Sequence, residues 1–252
     1  MKNKLHIIIR INTALAAFSM ATALHAATTP TAPTITFTAY DQAANGITGE
    51  ADGSSDTGDN ISVGELDDTN ANRLDRAILV FTLPALPEGE TLVSAKLQIH
   101  VRSVSTATPD ALLYHSRSSE VTSNYSGLYS AGSYTSTGLS VATSTMTAST
   151  SEPRLVTLDV TAWVKTDYQL DTGTVISSFR IQVDGQDFLE DNINHRYTFF
   201  GKNSEAYAPR LIIETQAPAI PEPGHLGLLI GGVSLTLIAF RPGYGQSRSH
   251  LR

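Results

Sequence analysis

The feature that most constrains this chain is an alternation of apolar and polar residues over positions 95–102. The apolar positions Ala95, Leu97, Ile99 and Val101 alternate with Lys96, Gln98, His100 and Arg102. A period of two places successive side chains on opposite faces of a β-strand. The segment therefore predicts a strand with one face in a core and the other in water.

Other short apolar stretches predict more strands, at residues 77–83, 155–160, 179–183, 197–200 and 211–215, with weaker candidates at 35–39, 61–63 and 139–142. Residues 160–168 alone predict a helix. Turn residues such as Pro87 and Gly89 separate these stretches. Many short strands with few helices favour an all-β fold, an antiparallel β-sandwich. The chain contains no cysteine, so such a domain depends on its apolar core for stability.

The N-terminus has the three parts of a secretory signal peptide. Lys2, Lys4 and Arg10 precede an apolar stretch over residues 11–24, and small residues follow at 21–27. Residues 1–26 are predicted as the signal peptide, with cleavage after Ala26 or after Ala23, and a retained membrane anchor is the alternative. We then expect a Thr/Pro/Ala-rich linker at 27–33, the sandwich at 34–215 and a second linker at 216–223.

The C-terminus has three parts as well. Pro221, Glu222 and Pro223 precede an apolar run at 226–240, and the tail after it contains three arginines and no acid. This arrangement resembles the PEP-CTERM sorting signal of bacterial surface proteins. The resemblance implies a transmembrane sorting helix at 224–242, a basic cytoplasmic tail at 243–252, and processing by an exosortase that passes the protein to the cell surface or matrix. An ordinary C-terminal membrane anchor is the alternative.

The apolar run is short for a membrane span. Its 15 residues would cover roughly 22 Å as a helix, against about 30 Å for a hydrocarbon core. A weak span suits a segment that is held in the inner membrane for a short time and then cut.

The charge of the chain is unevenly distributed. Of 17 basic and 24 acidic residues, 11 and 23 lie between positions 27 and 220, so that region has a net charge near −12. Such a charge repels the phosphates of nucleic acids and excludes them as partners. It is compatible with metal cations and neutral sugars, whereas an acidic polysaccharide needs a local basic patch.

Three blocks in the body of the chain suggest a family. They are the segment at 76–97, which reads RAILVFTLPALPEGETLVSAKL, the segment VTLDVTAWV at 156–164, and APRLII at 208–213. In order and spacing they resemble DNRLRE domains, also called the CBM96 family of carbohydrate-binding modules, over residues 34–215. The resemblance implies a jelly-roll-like β-sandwich that serves as a non-catalytic polysaccharide module.

Two predicted strands carry polar side chains suited to a saccharide. Lys96, Gln98, His100 and Arg102 share one strand face, and Arg180 and Gln182 share another. If the strands are neighbours, these six residues form one hydrogen-bonding surface, and its cations can pair with uronate carboxylates. Tyr125, Tyr129 and Tyr134 are candidates for stacking, or for anchoring their loop. The ordinary wet face of a sandwich is the alternative reading of the two strands.

Acidic residues crowd a Gly- and Asn-rich stretch. The candidate ligands are Asp52, Asp56, Asp59, Asp67 and Asp68, and a second group follows around Gly185. Hard carboxylate oxygens on a flexible loop suit Ca²⁺, although the spacing is not that of an EF-hand. A cation site and a solvated acidic turn are therefore both open, and Ca²⁺ is the predicted cofactor.

Catalytic motifs are scarce. The histidines between positions 27 and 220 show no zinc-protease spacing, and no G-x-S-x-G nucleophile motif is present. The sequence thus predicts an exported, surface- or matrix-associated protein that binds polysaccharide without chemistry. A structural matrix or adhesion protein without a saccharide site is the alternative, and a polysaccharide-cleaving enzyme is a third.

Overall fold

The computed structural model describes residues 26–42, 53–55, 58–66, 73–105, 108–116, 134–143, 145–149, 151–170, 173–183 and 194–218. The predicted signal peptide before Ala26, the Pro-Glu-Pro motif, the sorting helix at 224–242 and the basic tail all lie outside these residues. Within the described part of the chain, no helix is long and apolar enough to cross a membrane. Residues Ala26–Ala217 form one compact unit.

The described residues form an all-β fold with a single helix. In chain order the elements are β1 (Ala26–Thr31), β2 (Ile35–Gln42), β3 (Gly53–Ser55), β4 (Asn60–Leu66), β5 (Arg73–Thr82), β6 (Thr91–Val104), β7 (Ala111–Ser116), β8 (Thr135–Ala142), β9 (Arg154–Asp159), α1 (Thr161–Leu170), β10 (Ile176–Val183), β11 (His195–Phe200) and β12 (Arg210–Gln216). Every predicted strand and the predicted helix are confirmed.

All strand pairings in the described residues are antiparallel, and they follow the order β1-β12-β6-β11-β4-β5-β10-β7-β8. β9 pairs with the other edge of β6, and β2 pairs with the other edge of β5 and with β3. The sheet thus has a β6 half, comprising β1, β12, β6 and β9, and a β5 half, comprising β2, β3, β5, β10, β7 and β8. β11 and β4 join the two halves.

One apolar core lies between the halves. It combines Leu97 and Ile99 of β6 and Leu211 of β12 with Leu79 of β5 and Phe179 of β10, all fully buried. Residues from opposite ends of the strand order therefore pack together, as in a sandwich-like arrangement. Helix α1 contributes Val164 to the same core, and the carboxylate of Asp159 caps its first turn by accepting the backbone N–H of Thr161 at 3.0 Å.

The two halves differ on their outer faces. Along β6, buried residues alternate with accessible ones, as the sequence predicts. Along β10, every residue from Ser177 to Val183 is buried. A second apolar cluster, Ala39, Ile78, Val80 and Tyr134, covers the outer face of the β5 half. The β6 half therefore presents an open sheet face, whereas β5 and β10, the central strands of the other half, are buried on both sides for most of their length.

The predicted linker at 27–33 is wrong for most of its length. Ala26–Thr31 is strand β1, paired with β12 from Ala26 opposite Gln216 to Thr31 opposite Leu211. The segment lacks an apolar period because β1 is an edge strand whose residues 27–30 are exposed. Pro30 is tolerated at such an edge, where its missing N–H need not meet a partner strand. The compact unit thus begins at Ala26 instead of residue 34.

Candidate functional site

The accessible face of β6 carries the predicted polar row. Lys96 is exposed, and Gln98, His100 and Arg102 are half-buried with their outer parts in solvent. Strand register places Thr157 of β9 and Arg210 of β12 on either side of Gln98. We call this surface, comprising Lys96, Gln98, His100, Arg102, Leu155, Thr157, Phe200, Tyr207 and Arg210, the β6 face.

Two aromatic rings on the β6 face, those of His100 and Phe200, each contact the ring of Tyr207. The ring of His100 meets that of Tyr207 edge-on at 5.2 Å between centroids. The ring of Phe200 packs against that of Tyr207, with 4.8 Å between their centroids. The guanidinium of Arg102 lies 5.7 Å from the Phe200 ring, and it donates a hydrogen bond to the side chain of Asn60. The group is therefore an ordered aromatic platform with a cation at its edge.

Exposed apolar groups are concentrated at this platform. Among the described residues, only Val93, Leu155 and Tyr207 are exposed large hydrophobic residues. Tyr207 is 36% exposed and Leu155 is 47% exposed. Leu155 lies directly opposite His100 in the β6–β9 register. Two of the three residues thus flank the same imidazole, and they make an apolar strip across an otherwise polar surface.

Backbone hydrogen bonds attach the turn that carries Tyr207 to the residues before β4. The backbone N–H of Gly201 donates to the carbonyl of Asp59 at 2.8 Å, and that of Asn203 donates to the carbonyl of Gly58 at 2.7 Å. A side chain at position 201 would meet the carbonyl oxygen of Gly58 at 2.5 Å, so this approach requires glycine. The turn, and with it Tyr207, is fixed relative to the sheet.

The β6 face is locally basic although the chain has a formal charge of −7. Lys96, Arg102 and Arg210 supply cations, and the nearest acid in the strand register is Asp159, opposite Lys96. Two hydrogen bonds from Thr161 hold the pKa of Asp159 below its usual value, with a smaller effect from Lys96. The surface can therefore offer hydrogen bonds from amide, ammonium and guanidinium groups beside stacked rings.

The other two predicted saccharide residues lie elsewhere. Arg180 is 0% exposed and Gln182 is 7% exposed, and both belong to β10, which is not a neighbour of β6. The expectation of one surface shared by the two strands is therefore wrong. The Arg180 guanidinium lies 4.6 Å from the Tyr134 ring and 5.2 Å from the Tyr114 ring, in the covered face of the β5 half.

Tyr134 packs in the protein instead of offering a stacking surface. The residue is 6% exposed, its hydroxyl is hydrogen-bonded to Ser178 at 2.7 Å, and burial raises its pKa to about 12. The anchoring alternative therefore holds for Tyr134. Tyr125 and Tyr129 lie outside the described residues.

The predicted cation site cannot be assembled from the described residues. Asp59 is exposed beside the Gly201 turn, whereas Asp52, Asp56, Asp67 and Asp68 lie outside the described part of the chain. Among residues with a described position, no group of three or more His, Cys, Asp or Glu side chains is placed to hold a metal ion. The Ca²⁺ site stays a prediction.

One buried acid–base pair is present in the core. Nε2 of His115 on β7 lies 3.0 Å from a carboxylate oxygen of Asp167 on α1, and both side chains are almost completely buried. The imidazole also packs against Phe179. A polymer cannot reach this pair, whose evident role is to attach α1 to the sheet.

No protein-family model matches this chain, and no curated protein matches it. The resemblances to PEP-CTERM tails and DNRLRE domains therefore stay predictions.

Proposed function

We propose that this chain is an exported, non-catalytic polysaccharide-binding protein whose saccharide site is the β6 face. The observation that carries the proposal is the exposed Tyr207 ring, held by Phe200 and His100 beside the amide of Gln98 and the guanidinium of Arg210. Saccharide rings have apolar faces and hydroxyl edges, so they suit a platform of this kind.

The sequence supplies the rest of the proposal. The signal peptide at 1–26 and the tail at 221–252 support export, a transient inner-membrane anchor at 226–240 and release to the cell surface or matrix by an exosortase. The all-β unit supports a jelly-roll-like sandwich as the carrier of the site. The basic character of the β6 face extends the range of ligands to uronate-containing polysaccharides.

Affinity electrophoresis in gels that contain polyuronate or neutral glucan tests the proposal. We expect retardation of the purified chain in at least one gel, and at least about fivefold weaker binding for Tyr207→Ala, as for an anchor residue at the centre of an interface. Val93→Ala is the matched control, because Val93 is also exposed, at 43%, but precedes His100 by seven residues on β6.

A structural matrix protein without a saccharide site is the competing function, and retardation in no gel would favour it. Equal retardation of Tyr207→Ala and the parent chain would show that any binding lies elsewhere. Release of reducing ends from the polysaccharide would indicate an enzyme.

A further inference from the structure

His100 is held in one orientation on the β6 face. Its Nδ1 lies 3.2 Å from the carbonyl oxygen of Tyr207, and its ring lies against the Tyr207 ring. A carbonyl oxygen only accepts hydrogen bonds, so Nδ1 must carry the proton. In the neutral imidazole, Nε2 is therefore the acceptor and the atom that takes up a second proton.

Gain of that second proton leaves the contact with Tyr207 intact. Nδ1–H donates to the carbonyl in both the neutral and the charged imidazole, so the aromatic platform keeps its geometry. The change is thus one of charge and of hydrogen-bonding character at Nε2, from acceptor to donor.

The elements around His100 contribute mainly cations. β12 supplies Arg210, and the acid on its outward face, Glu214, lies farther along the sheet, opposite Ser94. β6 itself supplies Arg102, two residues along the same face. On β9 the residue opposite is Leu155, and the acid of that strand's outer face, Asp159, lies opposite Lys96. The turn before β12 supplies Tyr207 and the exposed Glu205.

His100 is neutral near pH 7. Burial lowers the pKa of His100 from its ordinary value of 6.5, and the positive charge of Arg210 lowers it further, against the opposing effect of the Tyr207 carbonyl. The imidazole therefore becomes charged only in acidic solution, where it adds a cation to those of Arg102 and Arg210.

We propose that His100 sets the charge preference of the β6 face, so that anionic saccharides bind more tightly in acid while uncharged saccharides do not. The proposal rests on the saccharide site of the previous section. A carboxylate beside His100 favours the charged imidazole, and by linkage the charged imidazole favours the carboxylate to the same extent. An uncharged saccharide has no such preference.

Nuclear magnetic resonance of the His100 ring, assigned from the signal lost in His100→Gln, measures this linkage directly. The probes are an oligogalacturonate and a cello-oligosaccharide of equal length. We expect saturating oligogalacturonate to raise the pKa of His100 by about 0.3–0.7, which corresponds to about two- to fivefold tighter binding in acid, the range of an exposed ion pair. The cello-oligosaccharide should leave the pKa unchanged.

Calorimetry at pH 7.5 and pH 4.5 on the full chain and on His100→Gln completes the test. Glutamine can donate to the Tyr207 carbonyl but cannot gain a proton, so the variant should bind oligogalacturonate with the pH dependence lost. Retention of the full pH dependence in His100→Gln, or an unmoved His100 titration in the bound protein, overturns the inference and leaves the saccharide site standing. Absence of binding by both probes at both pH values overturns the saccharide site itself.

Discussion

Gly64 is the position where one added methyl group should destabilise the fold most clearly. Its φ is +104°, a conformation that side chains disfavour, and a Cβ there would lie 2.2 Å from the carbonyl oxygen of His195 on β11. Relief of this overlap requires the backbones of β4 and β11 to separate at the junction of the two halves. Gly64→Ala therefore combines a dihedral penalty with a backbone clash.

Alanine substitutions at two other glycines distinguish the dihedral penalty from the backbone clash. Gly138 has a φ of +71° but nothing within 4 Å of its Cβ position, so Gly138→Ala carries the dihedral penalty alone. Gly173 has open space and no positive φ. We expect a cost of about 1–2 kcal/mol for Gly138→Ala and about 3–5 kcal/mol for Gly64→Ala, since overpacking adds to the dihedral term. Gly173→Ala should be neutral or stabilise by up to about 1 kcal/mol.

Urea unfolding monitored by fluorescence provides the assay, because the chain contains a single tryptophan, Trp163, half-buried on α1. If the variants have equal m-values, their free energies of unfolding can be compared with one another directly. A cost for Gly64→Ala no larger than that for Gly138→Ala would refute the close approach of β4 to β11.

Three further predictions concern buried polar groups. Arg180→Met removes two buried contacts with tyrosine rings and should cost about 2–4 kcal/mol, whereas Arg154→Met on the exposed surface of β9 should change the unfolding free energy by less than about 0.5 kcal/mol. Tyr134→Phe leaves the buried hydroxyl of Ser178 without its 2.7 Å partner and should cost about 1–3 kcal/mol in the same unfolding assay. Burial raises the pKa of Asp75 despite its hydrogen bond from Arg73, so the folded state binds the proton more tightly, and stability from this group is lost as pH rises through the folded pKa. The stability of Asp75→Asn relative to the parent chain should therefore increase between pH 4 and pH 8, and a constant difference would contradict the raised pKa.

The β6 strand could be predicted from the sequence because one of its faces lies in solvent. Strict alternation of apolar and polar residues identifies a strand with one buried and one solvated face. The predicted polar row from Lys96 to Arg102 is accessible in the structure. The same reasoning failed for β10, where Arg180 and Gln182 alternate with apolar residues yet are buried. A period of two identifies two faces, but it does not reveal that a second cluster containing Tyr134 covers the polar one.

The aromatic part of the site was missed for a different reason. Phe200 is the last residue of β11, and Tyr207 lies in the turn after that strand. His100 is separated from Tyr207 by 107 positions in the chain. Only the strand order, which places β11 and β12 along one edge of β6, brings them together. Strand β1 was also missed, because its pairing with β12 comes from backbone hydrogen bonds that its Thr-, Ala- and Pro-rich sequence does not signal.

Chemical-shift mapping of the isotope-labelled chain during titration with a retarding polysaccharide fragment tests the saccharide site most directly. We expect the largest amide shifts at Leu155, His100 and Tyr207, with little change along β8 or at Arg180. Shifts centred on the β5 half, with the β6 face unperturbed, would contradict it.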